Sequence, residues 1–523
     1  MGDKFLETEI LIIGSGISGL TAAIFGAEAG FKIIIINRSP SLEESNTFYA
    51  QGGIIYRGKN DSAKMLANDV LVAGDRIGNA VNINILAKEG PKIVKNFLIN
   101  RLRIPFSKEP SGELHLTLEG GHSRKRIIHI GDETGKFTEQ YLIKELKKYS
   151  NVKILTGHTA IDIITPSHHS PKTQFIYQPL RAIGAYVLDN NSRKVKKVLA
   201  QQTILASGGA GWLFLHTTNP EGARGDGIAI ASRAGARIIN LEFIQFHPTC
   251  FYLKGAPNFL ISESVRGEGA ILLNQFLKPF LKKYTPLGDL GPRDEVCRAM
   301  YQEMLKTKSE NFFLDLTPIK KKGIRLRERF PFIYQQCLKY GLDIEKELIP
   351  VIPAAHYTCG GIWTDSFGKT TIENLYAIGE TACTGIHGAN RLASTSLLEG
   401  LVWGKRCLQH IKAHKKYQDL KKFQIPTWTD TGIEEPDDVL ILQDWLTIRA
   451  TMWNYVGVAR SQKLLERARE DLIYFENRIE KFYKETRITD NLIGLRNGVR
   501  VARLIAQAAL KNKKSQGCHY RLD

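Results

Sequence analysis

The chain has 523 residues, of which 43% are hydrophobic, 24% charged and 9% aromatic, which excludes a disordered, collagen-like or coiled-coil polypeptide and leaves a soluble globular protein of two to four structural units. Seventy-two Lys and Arg against 53 Asp and Glu give a net charge of +19, so the surface draws anions, whether small carboxylates, nucleic acid or acidic partners. Seven scattered cysteines without a CxxC pair fit a reducing compartment. The N-terminus has no export signal, the chain has no apolar run of spanning length, and Leu6 spoils a myristoylation signal after Met1-Gly2, so a cytoplasmic protein with no membrane partner is expected.

The first elements are an apolar strand at Ile10–Ile13, the turn Gly14-Ser15-Gly16-Ile17-Ser18-Gly19, a helix at Leu20–Ala29 and a second strand at Ile33–Ile36. This order predicts a βαβ unit that binds a dinucleotide. Gly14 makes the tight turn, Gly16 lets backbone approach a pyrophosphate, Gly19 lets the helix pack on the strand, and the helix N-terminus attracts phosphate. The acidic residue expected about 20 positions further on, to hold a ribose, is absent. The second strand runs instead into Asn37-Arg38-Ser39, where Asn37 can hydrogen-bond a ribose.

A small, amide-rich stretch follows at Thr47–Gly53, and helices and loops alternate to about residue 150. Strands are expected at Val152–Leu155 and Ala185–Leu188, around a Pro-, Ser- and His-rich stretch at 165–180 that reads as an exposed hairpin connection, its His168-His169 pair solvated. Strand Thr203–Ala206 leads into Ser207-Gly208-Gly209, and Leu375 to Glu380 repeats the theme of an apolar strand ending in glycine and a carboxylate. The nucleotide-binding pattern is thus interrupted by a mixed segment at 240–355. From about residue 422 the composition shifts to long helical patterns, at Leu440–Leu465 and Leu492–Leu510, whose charge runs read as solvated faces.

Four distant segments carry charges and histidines: Thr117 to Ser123 with Glu119 and His122, Phe246-His247-Pro248-Thr249, Gly291-Pro292-Arg293-Asp294, and His356 to Gly361 with Asn390-Arg391 after it. Arginine forks bind carboxylates in a bidentate way, so two arginines with histidine donors suit a small dicarboxylate; equally, each arginine could cap a helix or pair with a core acid. Their setting beside Gly pairs and Pro, in loops, favours chemistry. His247 with Cys250 and His356 with Cys359 form two HxxC pairs that could ligate zinc, but neither has a second cysteine beside it, so no metal is expected. No GxSxG elbow supports hydrolysis. Flavin redox chemistry remains.

Nearly end to end, the chain resembles the L-aspartate oxidase family, within the succinate dehydrogenase and fumarate reductase flavoprotein superfamily. The resemblance rests on GSGISG at 14–19, NTFYAQGG at 46–53, LEGGHS at 118–123, GDGIAIA at 225–231, LEFIQFHPT at 241–249, SESVRGEGA at 262–270, GPRDEV at 291–296, HYTCGGI at 356–362, YAIGE at 376–380, HGANRLASTSLLEG at 387–400, MWNYVGVAR at 452–460 and the near-terminal SQGCHYRLD. It implies an α/β fold: a discontinuous Rossmann-like FAD-binding domain at 1–240 and 356–421, an inserted α+β capping domain at 241–355 and a C-terminal helical domain at 422–523.

It also implies FAD contacts at Gly14, Ser15, Gly16, Ser18, Gly19, Asn37, Thr47, Ala50, Gln51, Gly52, Gly53, Asp226, Glu380, Ser396 and Leu397, with Glu380 on the ribityl chain or ribose. Asn46 stands where the succinate enzymes attach the flavin to a histidine, which implies noncovalent FAD. His247, His356 and Arg391 would bind the dicarboxylate with Ser262 in support; Arg293 would take the proton-transfer role, and Glu263 would relay protons. Because the pKa of arginine lies above about 12, Arg293 positions and stabilises charge at least as much as it moves a proton. Glu119 replaces an uncharged residue of the succinate enzymes. A carboxylate there favours an α-ammonium by roughly a few kcal/mol.

The implied reaction is oxidation of L-aspartate to iminoaspartate, with oxygen or fumarate as acceptor, feeding NAD synthesis and passing product to quinolinate synthase. Three rivals are a soluble fumarate reductase, which Glu119 discriminates, an RNA-binding flavoprotein, and a catalytically silent subunit of a respiratory complex. No Lys/Arg stripe interleaved with aromatics appears, since Lys320–Lys322 is short, so no nucleic acid is expected.

Overall fold

A computed structural model describes residues 5–523; the Met1-Gly2 start lies outside them. In chain order its main elements are β1 (Leu6–Ile13), α1 (Ile17–Glu28), β2 (Ile33–Ile36), α2 (Thr134–Leu146), β3 (Val152–Leu155), β4 (His158–Ile163), β5 (Gly184–Asp189), β6 (Lys194–Leu205), α3 (Asp226–Arg233), β7 (Ile244–Phe251), β8 (Ile271–Leu273), α4 (Arg293–Thr307), β9 (Phe312–Asp315), β10 (Ile349–Thr358), β11 (Leu375–Ala377), α5 (Thr395–Ala413), α6 (Asp438–Val456), α7 (Gln462–Glu485) and α8 (Asp490–Lys511).

β1 and β2 are apolar on both faces because both are covered, as expected of parallel strands. Ile10, Ile12, Ile33 and Ile35 point into one core with α1 and α5, while Leu11, Ile13, Ile34 and Ile36 point into the other with β4, β5 and α3. The large sheet runs β3-β2-β1-β6-β5-β4, and β11 joins it along β6. The twelve-residue β6 serves two partners on one edge: its first half pairs antiparallel with β5, and Thr203 to Leu205 pair parallel with β11. The carboxyl ends of β1 and β6 and the residues after β11 therefore meet at one place.

A second, antiparallel sheet in the order β7-β10-β9-β8 has its own core around Phe251, Phe280, Phe312 and Phe330. β7 and β10 are buried along nearly their whole length and connect this sheet to the larger one's side of the molecule.

Two local expectations change. The periodic pattern at 440–465 is not one helix: α6 ends at Val456, Gly457 turns the chain, Ala459–Arg460 pair with Tyr520–Arg521, and α7 begins after the Ser461 cap, whose hydroxyl accepts from the Leu464 N–H. The apolar rhythm continues across the break because both helices pack on the same core. The 165–180 connection does join antiparallel strands, but through a short helix at Pro166–His169 and a 3-10 turn at Thr173–Tyr177 rather than an irregular loop. Pro166 at a helix start and His169 hydrogen-bonded back to Thr165 build that turn.

Candidate functional site

One cavity is lined by residues from the ends of β1, β2, β6, β10 and β11, from the loops after them, and from the starts of α1, α3, α4 and α5. Every residue expected to touch FAD or substrate, except Gly19, lines it. Gly19 has the packing role instead: a Cβ there would fall 2.1 Å from the Gly14 carbonyl oxygen, so the bare Cα is what lets α1 lie on β1. His122 also lies outside the lining; its ring bonds the Ala393 carbonyl and Arg126, and burial pushes its pKa down to about 4.

At one end the lining is mostly backbone and small side chains. Gly14 has φ +112°, and a Cβ on it would stand 2.2 Å from the Ala206 carbonyl oxygen, so only glycine makes this turn between β1 and β6. α1 starts at Ile17 with Gly16 as a side-chain-free cap and no acid in its first turn, which leaves the positive end of the helix for phosphate. Thr47 fixes the facing loop by accepting the Ile17 N–H at 3.0 Å. Asp226 at the start of α3 is held by Arg224 (2.9 Å) and by Asn497 from α8 (2.9 Å). Asn37 spends its amide donors on the carbonyls of Ser39 and Ser41, so its oxygen is what it offers a ribose.

Glu380 lies half-buried between the two ends. It accepts from the Thr358 N–H (2.9 Å) and from Asn46 (2.8 Å), and burial pushes its pKa up to about 7 against these bonds. Three lining side chains keep a buried amide oxygen with no partner, Asn46 Oδ1, Gln51 Oε1 and Asn219 Oδ1, as a cradle for a polar ligand would. Phosphate-ready helix end, close backbone approach and unpaired acceptors together fit FAD.

At the other end the side chains are charged or titratable. Arg293, first residue of α4, donates to Glu263 (2.6 Å) and to Gln245 (3.0 Å). Glu263 also faces Arg266 at 3.5 Å; burial works to raise its pKa, but Arg293 and Arg266 outweigh that and hold it below the usual carboxylate range. Arg391 lies with its guanidinium 4.5 Å over the Tyr357 ring, has an Nε without a partner, and has its pKa brought down to about 10 by burial and by Arg293. His247 and His356 stand 5.1 Å apart, ring to ring, and burial with the neighbouring arginines keeps both well below their ordinary pKa. His247 Nε2 has no partner, while Thr218 bonds His356 Nδ1 at 2.8 Å. Ser262 caps the short helix that carries Glu263.

Glu119 is buried in the same wall. Ser394 donates to it at 2.5 Å; burial and then the charge of Glu263 raise its proton affinity, with the Ser394 bond and Arg293 opposing. The two HxxC pairs do not meet: Cys250 turns toward Thr217, and Cys359 toward Cys518. Among the described residues no group of three or more ligating side chains could hold a metal.

Gln245, Arg266, Tyr357 and Ser394 were not singled out from sequence. Signals existed for two of them: Gln245 stands two residues before His247 on one strand, and Arg266 one helical turn after Glu263. Arg391's ring contact and Ser394's bond to Glu119 join residues far apart and leave no local trace.

The fold and the two-ended cavity define a flavoprotein of the fumarate reductase class. Residues 9–397 match a FAD binding domain and residues 446–523 a fumarate reductase flavoprotein C-term domain. FAD is the cofactor. A mutant E. coli quinol fumarate reductase flavoprotein superimposes with a TM-score of 0.87 at 28% identity, covering 99% of this chain and 91% of that one. Within this class the chain belongs to the L-aspartate oxidase family: it is 43% identical to the L-aspartate oxidase of Acinetobacter baylyi, covering 100% of this chain and 94% of that one, and 35% identical to the chloroplastic enzyme of Arabidopsis thaliana, covering 98% and 81%.

Proposed function

We infer that the protein oxidises L-aspartate to iminoaspartate with FAD, in the synthesis of NAD. What carries the substrate reading is Glu119, a buried carboxylate in the wall that also presents two arginines and two neutral histidines. Arg391 and the two histidines grip the acid ends of the substrate, with Ser262 in support. Glu119 faces the α-ammonium, and its raised proton affinity suits it to take a proton from that group. Arg293, held by Glu263 and Gln245, fixes and neutralises a carboxylate, and Glu263 links it to Arg266, a path for a proton away from the buried site.

The chemistry that bound FAD would supply is that of an acceptor for the hydride from Cα, its electrons going on to oxygen or fumarate. β7 of the four-stranded sheet and the start of α4 bring His247 and Arg293 into the cavity wall, and their packing helps to keep water from the product imine. We divide the chain accordingly at residues 240, 355 and 421, and place the enzyme in the cytoplasm on the strength of seven buried, unpaired cysteines. Because an imine hydrolyses, we also propose that the product passes to quinolinate synthase. No helix among the described residues is long and apolar enough to cross a membrane.

The test is the flavin colour without oxygen. L-Aspartate bleaches the wild-type protein while D-aspartate and succinate do not, and Glu119→Gln reduces kcat/KM for L-aspartate by about 10²-fold, some 3 kcal/mol, while shifting preference toward succinate. No bleaching by L-aspartate overturns the function; unchanged preference in Glu119→Gln overturns the role of that residue.

A further inference from the structure

The segment Gln516–Arg521 contributes nothing to the lining of the cavity, yet three parts of the molecule meet on it. Tyr520 and Arg521 pair with Ala459 and Arg460 between α6 and α7, and the buried His519 ring bonds Arg460 at 2.8 Å. The Cys518 N–H donates to the Ala389 carbonyl at 3.0 Å, and its thiol to Asn390 Oδ1 at 3.1 Å. On the other side, Arg298 of α4 donates to the Gly517 carbonyl at 3.3 Å and lays its guanidinium 5.6 Å from the Tyr520 ring centre.

These contacts lead directly to the substrate arginines. Arg298 is paired at 2.7 Å with Asp294, the neighbour of Arg293; Asn390 is the neighbour of Arg391, and its amide donates to Asp294 at 2.8 Å. Gln245 closes the circuit from inside: it donates to Asn390 (2.6 Å) and to the Arg391 carbonyl (2.8 Å), and accepts from Arg293. The restraint is needed, because Arg293 and Arg391 carry like charges in a buried site, and their repulsion is part of what lowers the Arg391 pKa.

We propose that the segment Gln516–Tyr520 is a positioning element of the dicarboxylate pocket: by clasping Arg298 and Asp294 on one side and Ala389 and Asn390 on the other, it sets the separation of the Arg293 and Arg391 guanidinium groups. The inference rests on the reading of those arginines as the grip on the substrate's acid ends. Bidentate carboxylate binding tolerates displacements of only about half an ångström, so loosening the clasp weakens dicarboxylate binding before it disturbs the cofactor.

The test uses the holoenzyme with Arg298→Met, which cuts the links to Gly517, Tyr520 and Asp294 while keeping the bulk, and Cys518→Val, which cuts the link to Asn390. FAD content, KM and kcat for L-aspartate, and the Kd of malonate read from the flavin absorbance are compared with wild type and with Arg391→Lys. Arg298→Met is expected to raise KM and the malonate Kd tenfold or more, with kcat changed less than threefold and FAD content unchanged; Cys518→Val is expected to raise them severalfold. A segment that only stabilises the fold would lower the melting temperature or FAD content and leave KM and Kd within twofold, which would overturn the proposal. Should Arg298→Met lose FAD, Cys518→Val decides by the same criterion. If Arg391→Lys leaves malonate binding intact, the arginine reading fails; if it weakens binding while both clasp variants do not, the clasp alone fails.

Discussion

The two ends of the cavity are built on opposite principles. The cofactor end comes largely from two continuous stretches, 13–18 and 36–53, and presents backbone, hydroxyls and amides. The substrate end takes Glu119, His247, Glu263, Arg293, His356 and Arg391 from six separate segments, all of them buried or nearly so, and each charge there shifts its neighbours' proton affinities. At the first end the local conformation of the chain makes the site, so what it cannot tolerate is volume. At the second, distant elements have to arrive in register, and what it cannot tolerate is an unbalanced charge.

The largest effect should come from volume at the cofactor end. Gly14→Val places branched carbon against the Ala206 carbonyl and forces a β-branched residue to φ +112°, strain of roughly 2 kcal/mol or more before any clash is counted. Such protein is expected to purify without visible flavin absorbance and to take up no added FAD. A yellow Gly14→Val protein would show that the turn adapts, and the contrast between the two ends would lose one side.

The substrate end should break without losing its colour. Arg293→Leu strips Glu263 of its 2.6 Å partner and leaves it only Arg266 at 3.5 Å. FAD stays bound, kcat/KM falls by about 10³-fold or more, and Arg293→Lys recovers only part of it, since an ammonium lacks the fixed guanidinium fork that reaches Glu263 through Nε and Gln245 through Nη1. Retained turnover in Arg293→Leu would remove this residue from the reaction.

The same contrast explains how much could be read in advance. The βαβ opening was legible because Gly14, Gly16 and the all-isoleucine β2 act through local geometry, and a glycine's need for φ +112° is written at its own position. The arginines and histidines were legible as residue types in glycine-rich loops, but their partners were not. Nothing near Glu119 points to Ser394, and nothing near Arg391 fixes the Tyr357 ring beneath it, because those contacts exist only after β10, α5 and the loop at 119 have packed. The break at Gly457 escaped for a related reason: α6 and α7 share one core, so the apolar period runs through the turn.

Glu380 lies on the seam between the two ends, bonded to Asn46 on one side and feeling Arg391 on the other, and it allows the finest of these tests. Burial lifts its pKa from 4.5 to about 7 in the folded protein. Between those values the folded state holds a proton that the unfolded chain has released, so stability falls as pH rises through this window and levels off above it, by roughly 3 kcal/mol in all. Glu380→Gln cannot ionise and does not suffer this loss. Measured as the difference in urea midpoint between the two proteins at equal FAD, the variant should gain on wild type from pH 5 to pH 7 and hold a constant margin at pH 8 and above. A pH-independent difference would mean that Glu380 ionises normally within the fold, and that the seam is wetter than its hydrogen bonds to Thr358 and Asn46 indicate.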